Sequence, residues 1–399
     1  AASDVYKRQR YNFDKVIDRS GTSAEKVEGL KHIWGRTDLI PLWVADMDFA
    51  TAPFVTDAIR KRCENEVLGY TGKPDSYYNA IINWVKQRYD LVVAKEMINF
   101  VPGIVPGIGM AMNCFTQKGD KVMIQPPVYH PFAWVTTRNE RTLVTNPLKW
   151  ENGMYRMDLD TFREQIKGCK LFILCNPHNP GGVVWTEAEL RAIADICYDE
   201  KVLVFSDEIH ADLTLPPHTH RPFATVSEKA RMNSVTFMSP SKAFNMPGLS
   251  ASHALIFNED LRKRFRIYMD AGELDMGHVF AFLSVEAAYS HGTEWLDQCL
   301  AYIQGNIDFV DDFLKNHAPK IKAIRPEASY LVWLDCRELK LSQKDLNEFF
   351  VDKAHLALND GEMFGKEGIG FMRLNVASPR CIIEKAMKQL ADAYQLYIK

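Results

Sequence analysis

The stretch from Val235 to Asn245 reads VTFMSPSKAFN and joins an apolar run to a polar turn that contains Lys242. Most lysines are solvated charges, and Lys242 taken alone fits that interpretation. The alternative is a lysine held in a pocket, where desolvation favours the neutral amine and allows it to attack a carbonyl. The neighbouring Ser239 and Ser241 could then bind a phosphate. The partners supplied by the rest of the chain decide between the two interpretations.

The composition is that of a soluble globular protein. The chain has 399 residues, of which 47% are hydrophobic and 25% charged, and this length allows two hydrophobic cores. A net charge of −3 argues against nucleic acid or an anionic membrane as a main partner. No apolar stretch reaches the roughly 18–20 residues that a membrane-spanning helix needs. We therefore expect a cytoplasmic protein, with residues 1–10 as a tail outside the fold.

The eight cysteines form no Cys-x-x-Cys pair, and several lie in apolar runs. This usage is typical of buried free thiols in a reducing compartment. We expect no metal site and no disulfides.

Apolar strand-like segments alternate with helix-like segments through most of the chain. Strands are predicted at 121–125, 141–145, 171–175, 202–205, 234–238 and 253–257. Helices are predicted at 51–65, with Thr51 as the N-cap, and at 76–89, 131–138 and 186–199, the last opened by the capping box Thr186–Glu189. This alternation predicts an α/β fold with a mainly parallel sheet flanked by helices.

The pattern changes beyond about residue 290. A long helix at 293–316, strands at 321–324, 330–335, 355–358 and 369–375, and a closing helix at 379–394 are predicted. We interpret 51–289 as a large domain and 290–399 as a smaller α+β domain, which residues 11–50 join as an N-terminal arm.

Four polar motifs follow or interrupt these strands. Three follow predicted strands, namely NPHNPGG at 176–182, SDEIH at 206–210 and SPSK at 239–242. Ligands of parallel sheets bind at the carboxyl ends of strands, which favours function, although a turn or a solvated acidic pair also fits the first two. The fourth motif is Arg373 inside an apolar strand. A buried arginine needs a carboxylate, either of the protein or of a substrate.

In this order the four motifs resemble the signatures of fold-type I pyridoxal-phosphate enzymes, and the resemblance spans roughly residues 11–399. Three further stretches are similar to the MalY/PatB-type cystathionine β-lyases (C–S lyases). They are DRSGT at 18–22, WVADMDF at 43–49 and KAFN at 242–245.

The resemblance implies pyridoxal 5′-phosphate as the cofactor, together with roles for individual residues. Lys242 would bond covalently to the cofactor aldehyde and move the Cα proton of the substrate. Asp207 would pair with the pyridine nitrogen, and Tyr129 would stack on the ring. Asn179 would bind the ring hydroxyl oxygen, with His210 near it.

The remaining implied contacts involve the phosphate and the substrate. The phosphate would be bound by the backbone of Gly103, Ile104 and Val105, by Ser239 and Ser241, and by Tyr70 of a second subunit, which implies a homodimer. Arg373 would bind the substrate α-carboxylate, and Asn179 and Ala45 would also contact the substrate. Asp46, Met47 and Phe49 would line the entrance.

One departure from the aminotransferase pattern narrows the expected function. Typical class I aminotransferases carry an arginine about eight residues after the lysine, whereas this chain has Ser250 there. The resemblance thus implies β-elimination on cysteine S-conjugates such as L-cystathionine. An aminotransferase and a cofactor-binding regulatory protein remain the alternatives.

Overall fold

The computed structural model describes residues 10–397, so most of the expected N-terminal tail, residues 1–9, lies outside the described residues. The chain divides into two compact units. The large unit comprises Thr51–Asn179 and Val183–Gly292. Within the described residues, the small unit comprises 10–50, Pro180–Gly182 and 293–397.

The strands and helices are numbered in chain order. The strands are β1 (Ile40–Pro41), β2 (Ile98–Val101), β3 (Lys121–Ile124), β4 (Thr142–Thr145), β5 (Lys149–Glu151), β6 (Met154–Arg156), β7 (Cys169–Cys175), β8 (Leu203–Asp207), β9 (Ser234–Met238), β10 (Ser252–Leu255), β11 (Lys322–Ile324), β12 (Leu331–Asp335), β13 (Leu356–Ala357), β14 (Asn359–Asp360) and β15 (Phe371–Asn375). The α-helices are α1 (Glu25–Trp34), α2 (Pro53–Cys63), α3 (Asp75–Tyr89), α4 (Ile104–Phe115), α5 (Pro131–Arg138), α6 (Leu159–Gln165), α7 (Glu187–Asp199), α8 (Glu228–Met232), α9 (Glu259–Ala271), α10 (Val279–His291), α11 (Thr293–His317), α12 (Gln343–Glu348) and α13 (Arg380–Tyr397).

A seven-stranded sheet in the order β2-β10-β9-β8-β7-β3-β4 forms the centre of the large unit. Strand β10 is antiparallel to both of its neighbours, and the other pairs are parallel. Strands β8 and β9 are almost entirely buried, as expected for strands covered on both faces. The prediction of a mainly parallel α/β sheet is confirmed.

The helices α6, α7, α8 and α9 of the large unit begin after a residue whose side chain accepts one of their first N–H groups. Thr186 and Glu189 form the predicted capping box at the start of α7. The prediction of Thr51 as the N-cap of α2 is wrong, because the helix begins at Pro53 with Ala52 as its N-cap. The Thr51 hydroxyl instead donates to the Asn245 carbonyl oxygen (2.6 Å) and so ties this segment to the turn after β9.

The small unit is built on an antiparallel sheet in the order β11-β12-β15-β14. The predicted strand at 355–358 does not belong to it. Its residues Leu356 and Ala357 pair in parallel with Ile40 and Pro41 of β1, because the His355 and Ala357 carbonyls accept N–H groups of the N-terminal residues 40 and 42. The strand pairing therefore joins the N-terminal arm to this unit.

Three further observations concern the part of the chain that the structure describes. Its eight cysteines are all free. None of its helices is both long and apolar enough to cross a bilayer. Residues 10–397 contain no cluster of histidine, cysteine or acidic side chains that could hold a metal ion.

Candidate active site

The carboxyl ends of three parallel strands lie side by side in the large unit. Cys175 at the end of β7 pairs with Asp207 at the end of β8, which in turn pairs with Phe237 of β9. The Asn176 N–H donates to the Asp207 carbonyl (2.9 Å), and the Glu208 N–H donates to that of Phe237 (2.9 Å). The structure thus brings the three strand-end motifs to one edge of the sheet.

Asp207 is a buried carboxyl group at the centre of this edge, with 4% of its surface exposed. Burial raises the pKa of Asp207 to about 7, and the Glu208 carboxylate also raises it, whereas the Ile209 N–H and the Lys242 amine lower it. The Ile209 N–H donates to Asp207 Oδ1 over 3.1 Å. A buried acid of this kind is stabilised by a cationic partner, because the partner offsets the cost of desolvating the carboxylate.

Glu208 anchors the segment that follows Asp207. Its carboxylate accepts hydrogen bonds from the Ser206 hydroxyl (2.8 Å), the Phe223 N–H (2.8 Å) and His220 Nε2 (2.7 Å). Both Glu208 and His220 are buried. The carboxylate therefore ties the end of β8 to residues 220–223, and the same segment carries the buried His210.

The Asn179 segment is held by hydrogen bonds from three directions. The Asn179 N–H donates to Cys175 Sγ (3.3 Å), and Trp185 Nε1 donates to the Cys175 carbonyl (2.8 Å). His178 Nε2 donates to the carbonyl of Pro127 (2.8 Å). Burial lowers the pKa of His178 to about 4, so the imidazole is neutral at pH 7. This bond links the Asn179 segment to the one that carries Tyr129.

Tyr129 follows β3, which lies next to β7 in the sheet. Its half-buried ring contacts the ring of Phe132 edge to face, with centroids 5.6 Å apart. Tyr129 and Asn179 are therefore on adjacent segments of the same edge.

Lys242 lies in a turn closed by its own backbone. The Phe244 N–H donates to the Pro240 carbonyl (2.9 Å). The Ser239 hydroxyl donates to the Ala251 carbonyl (2.8 Å) and accepts the Ser241 N–H (3.1 Å). Ser239 thus uses its hydroxyl proton to fix the turn. Lys242 itself is half-buried between the buried residues Ser241 and Ala243.

Gly103 marks an uncapped helix N-terminus at the same edge. It has φ +149°, and it precedes α4 without a side-chain cap. The first N–H groups of a helix lack intrahelical partners and favour an anion. Strand β2, which leads to Gly103, pairs with β10, and β10 pairs with β9. Gly103, Ile104 and Val105 are therefore separated by one strand from the Lys242 turn.

Gly107 allows α4 to lie close to the sheet. A Cβ atom at this position would lie 2.9 Å from Val101 Cγ2 and 3.2 Å from the ring of Phe237. Only glycine fits this approach without displacing β2 or β9. The position of the helix N-terminus therefore depends on this residue.

Tyr70 makes almost no contact within the large unit in the conformation described. It is 99% exposed, in a segment between α2 and α3 that is neither helix nor strand. The structure of the large unit does not bring it to the other predicted site residues.

Arg373 and Ala45 belong to the small unit. Arg373 lies in β15, where its Nη2 donates to Asn359 Oδ1 (2.6 Å) and to the Trp43 carbonyl (3.2 Å). These two acceptors are uncharged. The Arg373 guanidinium also lies over the ring of Phe364, 4.8 Å from its centroid. The half-buried Ala45 lies in the segment that also provides Trp43.

The neighbours of Ala45 differ from the expectation of an entrance. Met47 and Phe49 are buried in the core of the small unit, where Phe49 contacts the ring of Phe13 with centroids 5.1 Å apart. Asp46 forms an ion pair with Arg19 (2.6 Å). Met47 and Phe49 therefore act as packing residues, and Asp46 acts as an anchor.

Comparisons with known proteins agree with the geometry. The profile of the family described as aminotransferase class I and II matches residues 37–390. The chain is 38% identical over 384 residues to cystathionine beta-lyase PatB of Bacillus subtilis, covering 96% of this chain and 99% of that protein. It is 31% identical over 387 residues to protein MalY of Escherichia coli, covering 96% and 98% of the two chains.

A solved structure extends the similarity to the fold. Cystalysin from Treponema denticola, whose crystal structure contains a pyridoxal 5′-phosphate cofactor, is 33% identical to this chain with a TM-score of 0.94. The match covers 98% of this chain and all of that one. These relatives confirm the resemblance that the motifs indicate, and the chain belongs to the aminotransferase class I and II family.

Proposed function

We propose that this protein is a pyridoxal-phosphate-dependent C–S lyase. Its substrates are cysteine S-conjugates such as L-cystathionine, from which it releases a thiol (homocysteine), pyruvate and ammonia. The observation that supports this most is the meeting of Asp207, Asn179 and the Lys242 turn at one sheet edge, beside an uncapped helix N-terminus. The similarity to PatB and cystalysin over nearly the whole chain supports elimination as the reaction.

The chemistry of this edge fits the cofactor. A phosphate is suited to the uncapped N-terminus of α4, next to Gly103. A protonated ring nitrogen is suited to the buried carboxyl of Asp207, which otherwise carries the cost of desolvation. When bound, pyridoxal phosphate supplies an electron sink for the negative charge that develops at the substrate Cα.

The residues of the chain then have distinct tasks. Lys242 would hold the cofactor through its aldehyde, and the Lys242 amine would remove the Cα proton of the substrate. Asp207 would keep a proton on the ring nitrogen. Tyr129 would stack on the ring and orient it. Asn179 would donate to the ring hydroxyl oxygen, with His210 near that oxygen.

Further residues bind the phosphate of the cofactor. Ile104, Val105 and Gly103 offer backbone N–H groups to the phosphate, and Ser241 adds a hydroxyl. Ser239 supports this loop through its bonds to Ala251 and Ser241.

Arg373 binds the α-carboxylate in a bidentate manner. Its planar guanidinium matches that group better than an ammonium does. Asn179 and Ala45 complete the substrate contacts.

The elimination breaks two bonds of the substrate, Cα–H and Cβ–S. The Cα–H bond would break and its proton would pass to the Lys242 amine. The Cβ–S bond would then break, and the thiolate would leave with the bonding electrons and take up that proton, which restores the neutral amine. The remaining three-carbon fragment takes up water and yields pyruvate and ammonia. No external oxidant or reductant is needed.

Incubation of the cofactor-bound protein with L-cystathionine tests the proposal. We expect thiol and pyruvate in equal amounts, and we expect neither from a Lys242→Ala variant that has been shown to be folded. Conversion of added 2-oxo acid to an amino acid without thiol release would instead identify an aminotransferase. Loss of both activities, with the cofactor demonstrably bound, would favour a regulatory role.

We further propose that the active form is a homodimer. Val67, Leu68 and Tyr70 are 72%, 58% and 99% exposed within four positions of one segment. An apolar surface of this kind favours burial by a partner, and a second copy would bring Tyr70 to the phosphate. Sedimentation of the active protein as a monomer would contradict this proposal.

The eight free cysteines support a cytoplasmic location, because a reducing compartment keeps thiols unpaired. Fractionation of cells of the source organism, followed by detection of the protein, tests this proposal. Recovery from an oxidising extracytoplasmic fraction would contradict it.

A further inference from the structure

Five successive carbonyl groups in the small unit accept hydrogen bonds from outside their own segment. They belong to Leu42, Trp43, Val44, Ala45 and Asp46, which we call the 42–46 segment. The donors are the Asn375 N–H to Leu42 (2.9 Å), Arg373 Nη2 to Trp43 (3.2 Å), Asn375 Nδ2 to Val44 (2.7 Å), the Tyr330 hydroxyl to Ala45 (2.9 Å), and Asn375 Nδ2 to Asp46 (2.7 Å). The 42–46 segment is irregular, so these bonds replace the ladder that a sheet would provide.

Asn375 is the centre of this arrangement. Its side-chain amide donates to both Val44 and Asp46, and its Oδ1 accepts the Ala377 N–H (2.8 Å). The residue is fully buried, with 0% of its surface exposed. A buried amide with all its partners in place specifies one backbone conformation, because any other conformation leaves polar groups without partners.

The hydrogen-bonded carbonyls of the 42–46 segment also fix the direction of the N–H groups in the same peptide planes. In a trans peptide the N–H points opposite to the C=O of the same plane. The Val44 carbonyl points at Asn375, so the N–H of Ala45 points away from it. The Tyr330 hydroxyl, which is held by a buried side chain, fixes the next peptide plane in the same way.

Asn375 lies two residues after Arg373 on β15. The strand therefore carries the guanidinium and, through Asn375, holds the 42–46 segment whose Trp43 carbonyl accepts from that guanidinium. We propose that Asn375 and Tyr330 are positioning residues that keep Arg373 and the 42–46 segment in the one arrangement that binds the substrate α-carboxylate. The identity of the substrate in this inference rests on the proposed function. The fixed geometry of Arg373 and the 42–46 segment does not depend on it.

Asn306 provides a matched control. Its side chain is also fully buried, donates to two carbonyls spaced by two residues, Val376 (2.8 Å) and Ser378 (2.9 Å), and accepts one bond, from Arg380 Nε (2.8 Å). Replacement by alanine thus removes three hydrogen bonds at either asparagine, two donated to carbonyls and one accepted, and the bond that Asn306 accepts comes from a guanidinium rather than from a backbone N–H. Asn306 makes none of the bonds given above to the 42–46 segment.

The first measurement is amide hydrogen exchange, read by mass spectrometry on peptides that cover residues 43–48, with and without bound cofactor. We expect Asn375→Ala and the milder Tyr330→Phe to raise exchange in these peptides tenfold or more. This corresponds to loss of about 1.4 kcal/mol of local stability. Asn306→Ala is expected to leave them at the wild-type rate.

The second measurement separates KM from kcat for L-cystathionine. We expect Asn375→Ala to raise KM about tenfold or more with kcat within about threefold, because the lost geometry serves substrate binding. Asn306→Ala should leave KM unchanged. If Asn375→Ala does not fold, Tyr330→Phe, which keeps the ring, gives the decisive result.

Two outcomes would overturn the inference. One is an equal rise in exchange and in KM for the Asn306 and Asn375 variants, which would reduce Asn375 to general structural support. The other is wild-type exchange at residues 43–48 in Tyr330→Phe. Failure of the wild-type protein to act on L-cystathionine would count against the proposed function, while the exchange results would still decide the inference.

Discussion

Replacement of Asp207 by asparagine should stabilise the cofactor-free protein. The carboxyl group is buried, and this raises its pKa from 3.8 to about 7. Above both values, the folded state must hold a desolvated carboxylate that the unfolded chain holds in water. One pKa unit corresponds to about 1.4 kcal/mol, so the difference costs the folded state about 4 kcal/mol at pH 8. Asparagine has nearly the same shape and removes this cost.

The sign of the pH dependence follows from proton uptake. Between pH 4 and pH 7 the folded protein holds a proton on Asp207 that the unfolded chain has lost. The contribution of Asp207 to the free energy of unfolding therefore falls as the pH rises from 4 to 7, and it stays low above pH 7. In Asp207→Asn this part of the pH dependence is absent. We expect the variant to be more stable by about 2–4 kcal/mol at pH 8 and by much less at pH 4.

Urea denaturation of the cofactor-free protein from pH 4 to pH 8 provides the assay. Asp212→Asn is the contrasting variant, because the Asp212 carboxylate accepts from Trp84 Nε1 (3.0 Å) and the Tyr89 hydroxyl and lies 3.8 Å from Arg88 Nε. Burial raises the pKa of Asp212 as well, but these partners lower it, so Asp212→Asn should stabilise the protein less at pH 8 than Asp207→Asn does. The reasoning is refuted if Asp207→Asn is no more stable than the wild type at pH 8, or if the two proteins share the same pH dependence.

Three other changes give independent tests. Lys242→Ala should abolish the visible absorbance of the bound cofactor and the release of pyruvate while the circular dichroism spectrum is kept; persistence of that absorbance would assign the cofactor to another lysine. Arg373→Lys should raise KM for L-cystathionine about tenfold or more, since an ammonium cannot form the bidentate contact, and an unchanged KM would exclude Arg373 from carboxylate binding. Gly107→Ala should lower the free energy of unfolding in urea by about 1–3 kcal/mol and weaken cofactor binding in a titration, because its Cβ would lie 2.9 Å from Val101 Cγ2. A wild-type free energy of unfolding and wild-type cofactor affinity would show that α4 can move at no cost.

The sequence predicts the large sheet well because its central strands are continuous apolar runs. Strands β8 and β9 are buried along nearly their whole length. One polar motif begins in the last two residues of β8, and another follows β9 directly. Both Asp207 and Lys242 come at or just after the end of a predicted strand, and this was enough to expect them near each other at one edge of the sheet. The antiparallel direction of β10 could not be predicted, because an apolar run has no direction.

Other elements lack a periodic signal of their own. Helix α10 is apolar on several faces, with Phe282, Val285 and Tyr289 among its buried residues, so no amphipathic stripe marks it. The hairpin of β5 and β6 has strands of only three residues. Thr51 looks like an N-cap locally, but the tertiary bond to Asn245 takes its hydroxyl.

The supports of the site depend on contacts between distant segments. Glu208 is adjacent to Asp207 in the sequence and could have been noted there, whereas its partner His220 lies in a loop without any pattern. The link from His178 to Pro127 spans two motifs that have no sequence relation. Asn375 ends the predicted strand 369–375 that contains Arg373, but only the structure shows that its side chain donates to the Val44 and Asp46 carbonyls.

The most direct test of the proposed function measures thiol and pyruvate together when the cofactor-bound protein acts on L-cystathionine in the presence of a 2-oxo acid. If Lys242 removes the Cα proton and the thiolate then leaves, one thiol appears for each pyruvate, and the 2-oxo acid is not consumed. Amino acid formed from the 2-oxo acid, with no thiol released, would contradict elimination as the function of this site.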